Sequence, residues 1–503
     1  MARLVVIADL QGYLEPCGCQ ARPLGGIDRA TAKLSALRAE GVPMAVVSAG
    51  DLMFEAGDAH RRSDDKARTQ EVWKAQTMVQ ILNDVPLALA MPGPGDLRFG
   101  PETFAMVAKA ARFPMLGTDA GGRPRPEHDL KVLEIGGVKV AVFGLTAVDE
   151  PATQDASAAA LSRVATQRIV AARAAGARVT VAMLQAKARV ARRMAGATAG
   201  LDFVILAGRE EDDARPPSRL GDTQILTSAR HGRGLLVVDL FVDRQGPFTD
   251  ASEWTRAAKR VADQRVLADL EARIAVWEKD PKVDPAQLAA QRKRVARLRQ
   301  QAGEGAPTAV KTRGNAFSAR LQELGPEAPK SPATTRVLAD YDRRVNAHNK
   351  EAFADWKPEP PAEGQPAYVG SATCNGCHAA AYAWWQDHPH GKAYTTLTER
   401  SKEFNLSCVG CHVTGYLQPG GSTVTHNQGL THVGCEACHG PASLHLADPE
   451  NIVAAPEEAT CVGCHNEEHS AEFEFDPYRT RLIVPGHGLP VPTPAGAPET
   501  STP

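Results

Sequence analysis

The chain has 503 residues, which at ~150 residues per domain points to about three domains. Fifty-seven Lys and Arg against 59 Asp and Glu leave a formal net charge of −2, so no strong field calls for nucleic acid or an anionic membrane surface. No apolar run approaches the ~18–20 residues that cross a bilayer, which excludes a membrane-spanning helix.

In chain order, residues 1 to about 248 alternate short apolar runs with Ala/Arg-rich stretches of helical length. The runs 4–10, 44–51, 179–185 and 203–208 are bounded by Gly or polar residues and predict buried strands. Stretches 28–40, 66–83 and 157–175 predict helices, and 132–144 predicts a hairpin turning at Gly136-Gly137. This is an α/β domain. From about 249 to 354 the composition shifts to Ala, Arg, Glu, Gln and Lys with spaced Leu and Val. It predicts a helical hairpin broken near 279–285, with a further helix at 333–354, acting as a spacer. Four prolines in 355–366 mark a linker, and the proline-rich tail 489–503 predicts an unfolded end.

Eight of the ten cysteines fall into four copies of C-x-x-C-H: Cys374, Cys377 and His378; Cys408, Cys411 and His412; Cys435, Cys438 and His439; Cys461, Cys464 and His465. Roughly 0.006 such motifs would arise by chance in this length. Two thiols three residues apart can form thioethers with the two vinyl groups of one haem. The His four residues after the first Cys lies about one helical turn on and reaches the iron from one face. A zinc site is the plainer alternative, but zinc does not demand His after the second Cys four times over. The spacing therefore predicts four c-type haems with His378, His412, His439 and His465 as proximal ligands. Only 92 residues separate the ends of this array, too few for a conventional core, so the porphyrins must supply buried apolar surface and lie close together.

The sixth ligand decides between electron transfer and catalysis: a second His closes the iron, and an open position binds a small molecule. Seven further histidines lie in this region: His388, His390, His426, His432, His445, His469 and His487. The segments 368–378, 384–397, 408–416, 433–445, 461–465 and 483–488 resemble the bacterial tetrahaem cytochrome c family, over about 120 residues. That resemblance implies distal ligands at His390, His445 and His487, with His388 a competitor for the first. His426 or His432 serves the fourth iron, or it stays five-coordinate. Glu436 and Lys392 are either charges that tune potentials or solvated side chains. Trp384 and Trp385 are expected to pack on porphyrin.

The N-terminal region resembles the metallophosphoesterase superfamily, particularly the catalytic domain of 5′-nucleotidases, in motif order across about 240 residues. The expected D-x-H reads Asp9-Leu10-Gln11, G-D survives as Gly50-Asp51, and G-N-H-E reads Gly93-Pro94-Gly95-Asp96. A strand-terminal His is Gln185, and G-H-x-H reads Gly208-Arg209-Glu210-Glu211. A two-metal phosphatase needs imidazole ligands that are absent here. The resemblance implies a retained fold with a dismantled site, with a hard cation at Asp9, Asp51 and Asp96 as the alternative. Cys17 and Cys19 could form a strained disulfide, hold a soft metal or stay as thiols.

The expectation is a multihaem electron carrier working with redox partner proteins, its N-terminal domain a scaffold or docking module. The alternatives are reduction of a small nitrogen species at an open iron and a residual phosphoesterase. Covalent haem attachment occurs outside the cytoplasm, so a periplasmic or extracellular site is expected. Met1-Ala2-Arg3 runs straight into an apolar strand, so the natural leader is expected to have been removed. Association of several copies into a haem chain is an option that no particular residue favours.

Overall fold

The computed structural model describes residues 1–16, 22–54, 65–116, 130–147, 154–207, 215–278, 285–303, 314–451, 456–466, 469–470 and 473–489. Cys17, Cys19, the Gly208–Glu211 segment, Asp284 and most of the tail lie outside them.

Twelve strands build the first unit: β1 Ala2–Ala8, β2 Met44–Ala49, β3 Leu87–Met91, β4 Leu130–Ile135, β5 Val138–Thr146, β6 Val179–Gln185, β7 Phe203–Ala207, β8 Ser218–Leu220, β9 Thr223–Thr227, β10 Gly234–Phe241, β11 Thr249–Asp250 and β12 Ala316–Glu323. They form two six-stranded sheets, ordered β11-β12-β10-β1-β2-β3 and β4-β5-β6-β7-β9-β8. One central cluster takes side chains from both sheets, including Val6, Val47, Val142, Ile205, Leu236 and Phe317. Every residue of β1, β6 and β7 is buried. Strands covered on both faces need continuous apolar runs, which is why these read so clearly in the sequence. The β4–β5 hairpin turns on Gly136 and Gly137, whose φ values of 57° and 78° suit a two-residue primed turn.

The helices Ile27–Ala39, Asp65–Asp84 and Gln154–Ala174 match the expected stretches to within three residues. The 249–354 segment holds the expected helices, Glu253–Trp277, Pro285–Gly303 and Pro332–Ala352. It is not all spacer, however. Its residues 316–323 form β12, paired antiparallel with the whole of β10. Its half-polar run A-F-S-A-R-L-Q-E hides this role, because only Ala316, Phe317 and Ala319 are buried.

The second unit gathers Cys17–Pro23, Asp58–Thr77 and Thr335–Pro503. A small cluster of Phe353, Val409, Val413 and Val424 is its apolar centre. Buried amides add to it: Gln70 Nε2 donates to Asn405 Oδ1 at 3.0 Å, and Asn349 Nδ2 donates to Gln70 Oε1 at 2.8 Å. From 443 to 489 no described apolar side chain is buried, while Leu444, Leu446, Val462, Ile483 and Leu489 are at least 40% exposed. A folded segment lacking its own core requires another apolar body to pack against.

Candidate haem-binding region and the N-terminal cleft

Each C-x-x-C-H motif forms a single helical turn. The N–H groups of His378 and His465 donate to the carbonyls of Cys374 and Cys461, both at 2.8 Å. His412 and His439 end the short helices Val409–His412 and Cys435–His439.

Three motif histidines stand opposite a histidine from elsewhere. The ring centres are 6.3 Å apart for His378 and His445, 6.2 Å for His390 and His465, and 6.4 Å for His439 and His487. Two metal–nitrogen bonds of about 2 Å, each continued through an imidazole to its ring centre, require roughly 6 Å. The side chains therefore fit haem iron between them. Carbonyl acceptors set two tautomers, Asn451 O facing Nδ1 of His445 and Leu482 O facing Nδ1 of His487, while Ser470 Oγ lies 3.3 Å from Nδ1 of His465. A ring that donates through Nδ1 leaves the Nε2 lone pair for a metal. Burial, helped by His388 and His465, pulls His390 down to about 4 and keeps its imidazole neutral.

His388 occupies a different role. Its Nδ1 accepts the N–H of His390 at 3.2 Å and caps the helix Pro389–Thr398. Pro389 at the first helical position was the signal for that cap. His432 Nδ1 accepts the N–H of Tyr394 at 3.1 Å, so its Nε2 carries the proton. His426 lies beside Thr425 Oγ1 on the wall of an open cavity of about 470 Å³, with Lys357, Tyr368 and Gln428. His412 directs Nδ1 at Ala393 O, 2.6 Å away; its backbone carbonyl accepts the N–H of His432 at 2.9 Å, and burial with His412 nearby pulls the His432 imidazole down.

The attachment thiols also converge. Cys374 and Cys435 hydrogen-bond to each other, a contact that pushes Cys374 up and pulls Cys435 down to about 6. Burial pushes Cys438 up to about 11, with Cys461 beside it adding to the rise. The first motif thus meets the third, and the third meets the fourth. Trp384 lies on His487 with ring centres 4.6 Å apart and planes 13° apart, and Trp385 Nε1 donates to Val433 O at 2.9 Å. Lys392 is exposed beside Asp387, whereas Glu436 is buried, 3% exposed.

At the C-terminal ends of β1, β2 and β6 stand Asp9, Asp51 and Gln185, all buried. Gln185 Nε2 donates to Asp51 Oδ2 at 3.0 Å, and the Gly95 N–H donates to Oδ1 at 2.7 Å. Asp96 accepts N–H groups from Leu52, Met53 and Gly93 at 2.6–3.2 Å. Its carboxylate is consumed in holding these loops. Burial pushes Asp96 up to about 6, and burial together with Asp96 and Asp9 pushes Asp51 well above its ordinary range. Among the described residues no three His, Cys, Asp or Glu side chains are placed to hold one metal ion. The Gln185 amide meets Asp51, while His231 Nε2 lies 3.0 Å from Gln11 Oε1 and the His231 N–H donates to Asp9 O at 2.8 Å.

Residues 373–440 match the family described as cytochrome c554 and c-prime. Cytochrome c-554 of Nitrosomonas europaea is 37% identical over 97 residues, which cover 16% of this chain and 41% of that protein. Among solved structures, a 5′-nucleotidase precursor from Thermus thermophilus aligns with 14% identity and a TM-score of 0.46, over 74% of this chain and 61% of its own. The calcineurin-like phosphoesterase YfkN from Bacillus subtilis aligns with 12% identity and a TM-score of 0.42, over 68% of this chain and 97% of its own. The similarity over residues 373–440 supports a c-type cytochrome segment with covalently bound haem in the C-terminal region.

Proposed function

We propose that this chain is an electron carrier with four covalently attached haems in its C-terminal region. Cys374 and Cys377, Cys408 and Cys411, Cys435 and Cys438, and Cys461 and Cys464 hold them, with His378, His412, His439 and His465 as proximal ligands. His445, His487 and His390 close the irons of His378, His439 and His465 respectively. The observation that carries this reading is the three histidine pairs, each joining one motif to a distant segment at 6.2–6.4 Å. Iron held by two imidazoles changes oxidation state without opening a position for substrate.

The protein's own residues supply the rest. Hydrogen bonds between Nδ1 and carbonyl or hydroxyl oxygens orient the imidazoles, and Cys435 beside Cys374 and Cys461 beside Cys438 bring neighbouring attachment points together. Partners are redox proteins, and the location is periplasmic or extracellular. No described helix is long and apolar enough to cross a membrane. The N-terminal unit serves as scaffold or docking module, its buried Asp51 held by the Gln185 amide and the Gly95 N–H.

The state of His412 favours a second reading at one site. His432 lies near His412 but commits its Nδ1 to the Tyr394 N–H, and an iron at His412 left unclosed by it would be open to a small nitrogen species, whose reduction there would make the chain an enzyme as well as a carrier. Protein matured in a host able to attach c-type haem should carry the added mass of four haems and show mostly low-spin iron. Added mass short of four, or none, overturns the proposal. Turnover of a phosphate ester with Mn²⁺ or Co²⁺, abolished by Asp51→Ala, would overturn the role given to the N-terminal unit.

A further inference from the structure

We infer that Glu436 is a buried anion that lowers the reduction potentials of the two haems held by the first and third motifs, and that clamps their attachment segments together. The inference rests on the haem-carrying role proposed for those motifs.

Glu436 occupies a variable position of its motif, between Cys435 and Cys438, yet it is only 3% exposed. Its Oε1 accepts the N–H groups of Val369 and Ala442, both at 2.9 Å. Its Oε2 accepts those of Gly370 at 2.7 Å and Val369 at 3.1 Å. Every partner is a backbone donor, and no Lys or Arg pairs with the carboxylate among the described residues. An ionised carboxylate is an acceptor only, which is what this set of donors calls for.

The donors come from two places. Val369 and Gly370 lead into the turn that carries Cys374, and Ala442 follows His439. A second tie runs alongside, since the N–H of Cys435 donates to Ser371 Oγ at 3.0 Å. The Cys374–Cys435 thiol contact lies in the same place. One side chain thus joins the segment before the first motif to the segments flanking the third. The phenol of Tyr368 lies beside the same carboxylate and is pushed up, first by burial and then by Glu436.

A negative charge away from water stabilises ferric over ferrous iron, and burial limits its screening by salt. The other two motifs carry Val at the equivalent position, in Cys408-Val409 and Cys461-Val462, and the first carries Asn375. The anion is therefore particular to this pair.

The test compares the matured full chain with Glu436→Gln and Glu436→Asp, by haem count and redox-poised optical titration. Gln keeps the shape and removes the charge; Asp keeps the charge and shortens the reach. With four haems retained, E436Q should raise two of the four midpoints and leave the other two in place. No movement, or an equal movement of all four, overturns the inference. If E436Q loses haem, restoration of four haems at wild-type midpoints in E436D upholds the role of charge. Loss in both variants overturns it. A parent protein without haem would refute the carrier reading itself, before Glu436 is tested.

Discussion

The backbone N–H of His390 donates to Nδ1 of its near neighbour His388 at 3.2 Å, so two histidines of one short segment have opposite roles. The accepting ring carries its proton on Nε2 and offers no lone pair there. The other stands opposite His465, its imidazole held neutral by burial. In the matured protein His390→Ala should convert one low-spin haem into a high-spin haem that binds carbon monoxide. His388→Ala should leave the spin state unchanged and cost about 0.5–2 kcal/mol of stability through the lost helix cap. The reverse pattern in electron paramagnetic resonance spectra would reassign the ligand.

His412 supplies the second expectation. About one quarter of the haem in the untreated protein should be high-spin and respond to carbon monoxide or nitric oxide, because His432 spends its Nδ1 on Tyr394. His432→Ala should not enlarge that fraction. An enlarged fraction would identify His432 as a ligand.

Phe317 tests the strand concealed in the middle segment. Its ring is fully buried, with its centre 5.2 Å from that of Phe203 in the opposite sheet. Phe317→Ala should cost about 3–5 kcal/mol, through lost apolar burial and the cavity left behind. Denaturant unfolding followed by circular dichroism reads this directly. A loss below about 1 kcal/mol would mean that β12 does not belong to the sheet.

Asp96 makes stability depend on pH with a definite sign. Burial pushes it up to about 6, so between about pH 4 and 6 the folded chain keeps a proton that the unfolded chain has released. This contribution is present below about pH 4, falls as pH rises to 6, and is level above. At about 1.4 kcal/mol per unit the change amounts to about 2–3 kcal/mol. Urea midpoints measured from pH 4 to 7 should therefore show a downward component in the parent protein that Asp96→Asn lacks. Parallel curves for the two proteins would contradict it.

Much of this was legible because it is local. A C-x-x-C-H motif places its thiols and imidazole within five residues, and one helical turn brings them together wherever the motif sits. Fully buried strands such as β1 and β6 announce themselves by unbroken apolar runs. β12 did not, since its polar residues face outward and its place depends on pairing with β10, some eighty residues earlier.

What only the tertiary structure decided is which distant groups meet. His445 stands opposite His378 from 67 residues further along, and His390 faces His465 from 75 residues earlier; no spacing rule specifies either pair. The same holds for Asp96, whose carboxylate survives in the motif order yet is taken up by the backbone donors of Leu52, Met53, Phe54 and Gly93. Residue type tells what a side chain can bond. Whether a backbone N–H or another imidazole reaches it first depends on how the chain folds back on itself.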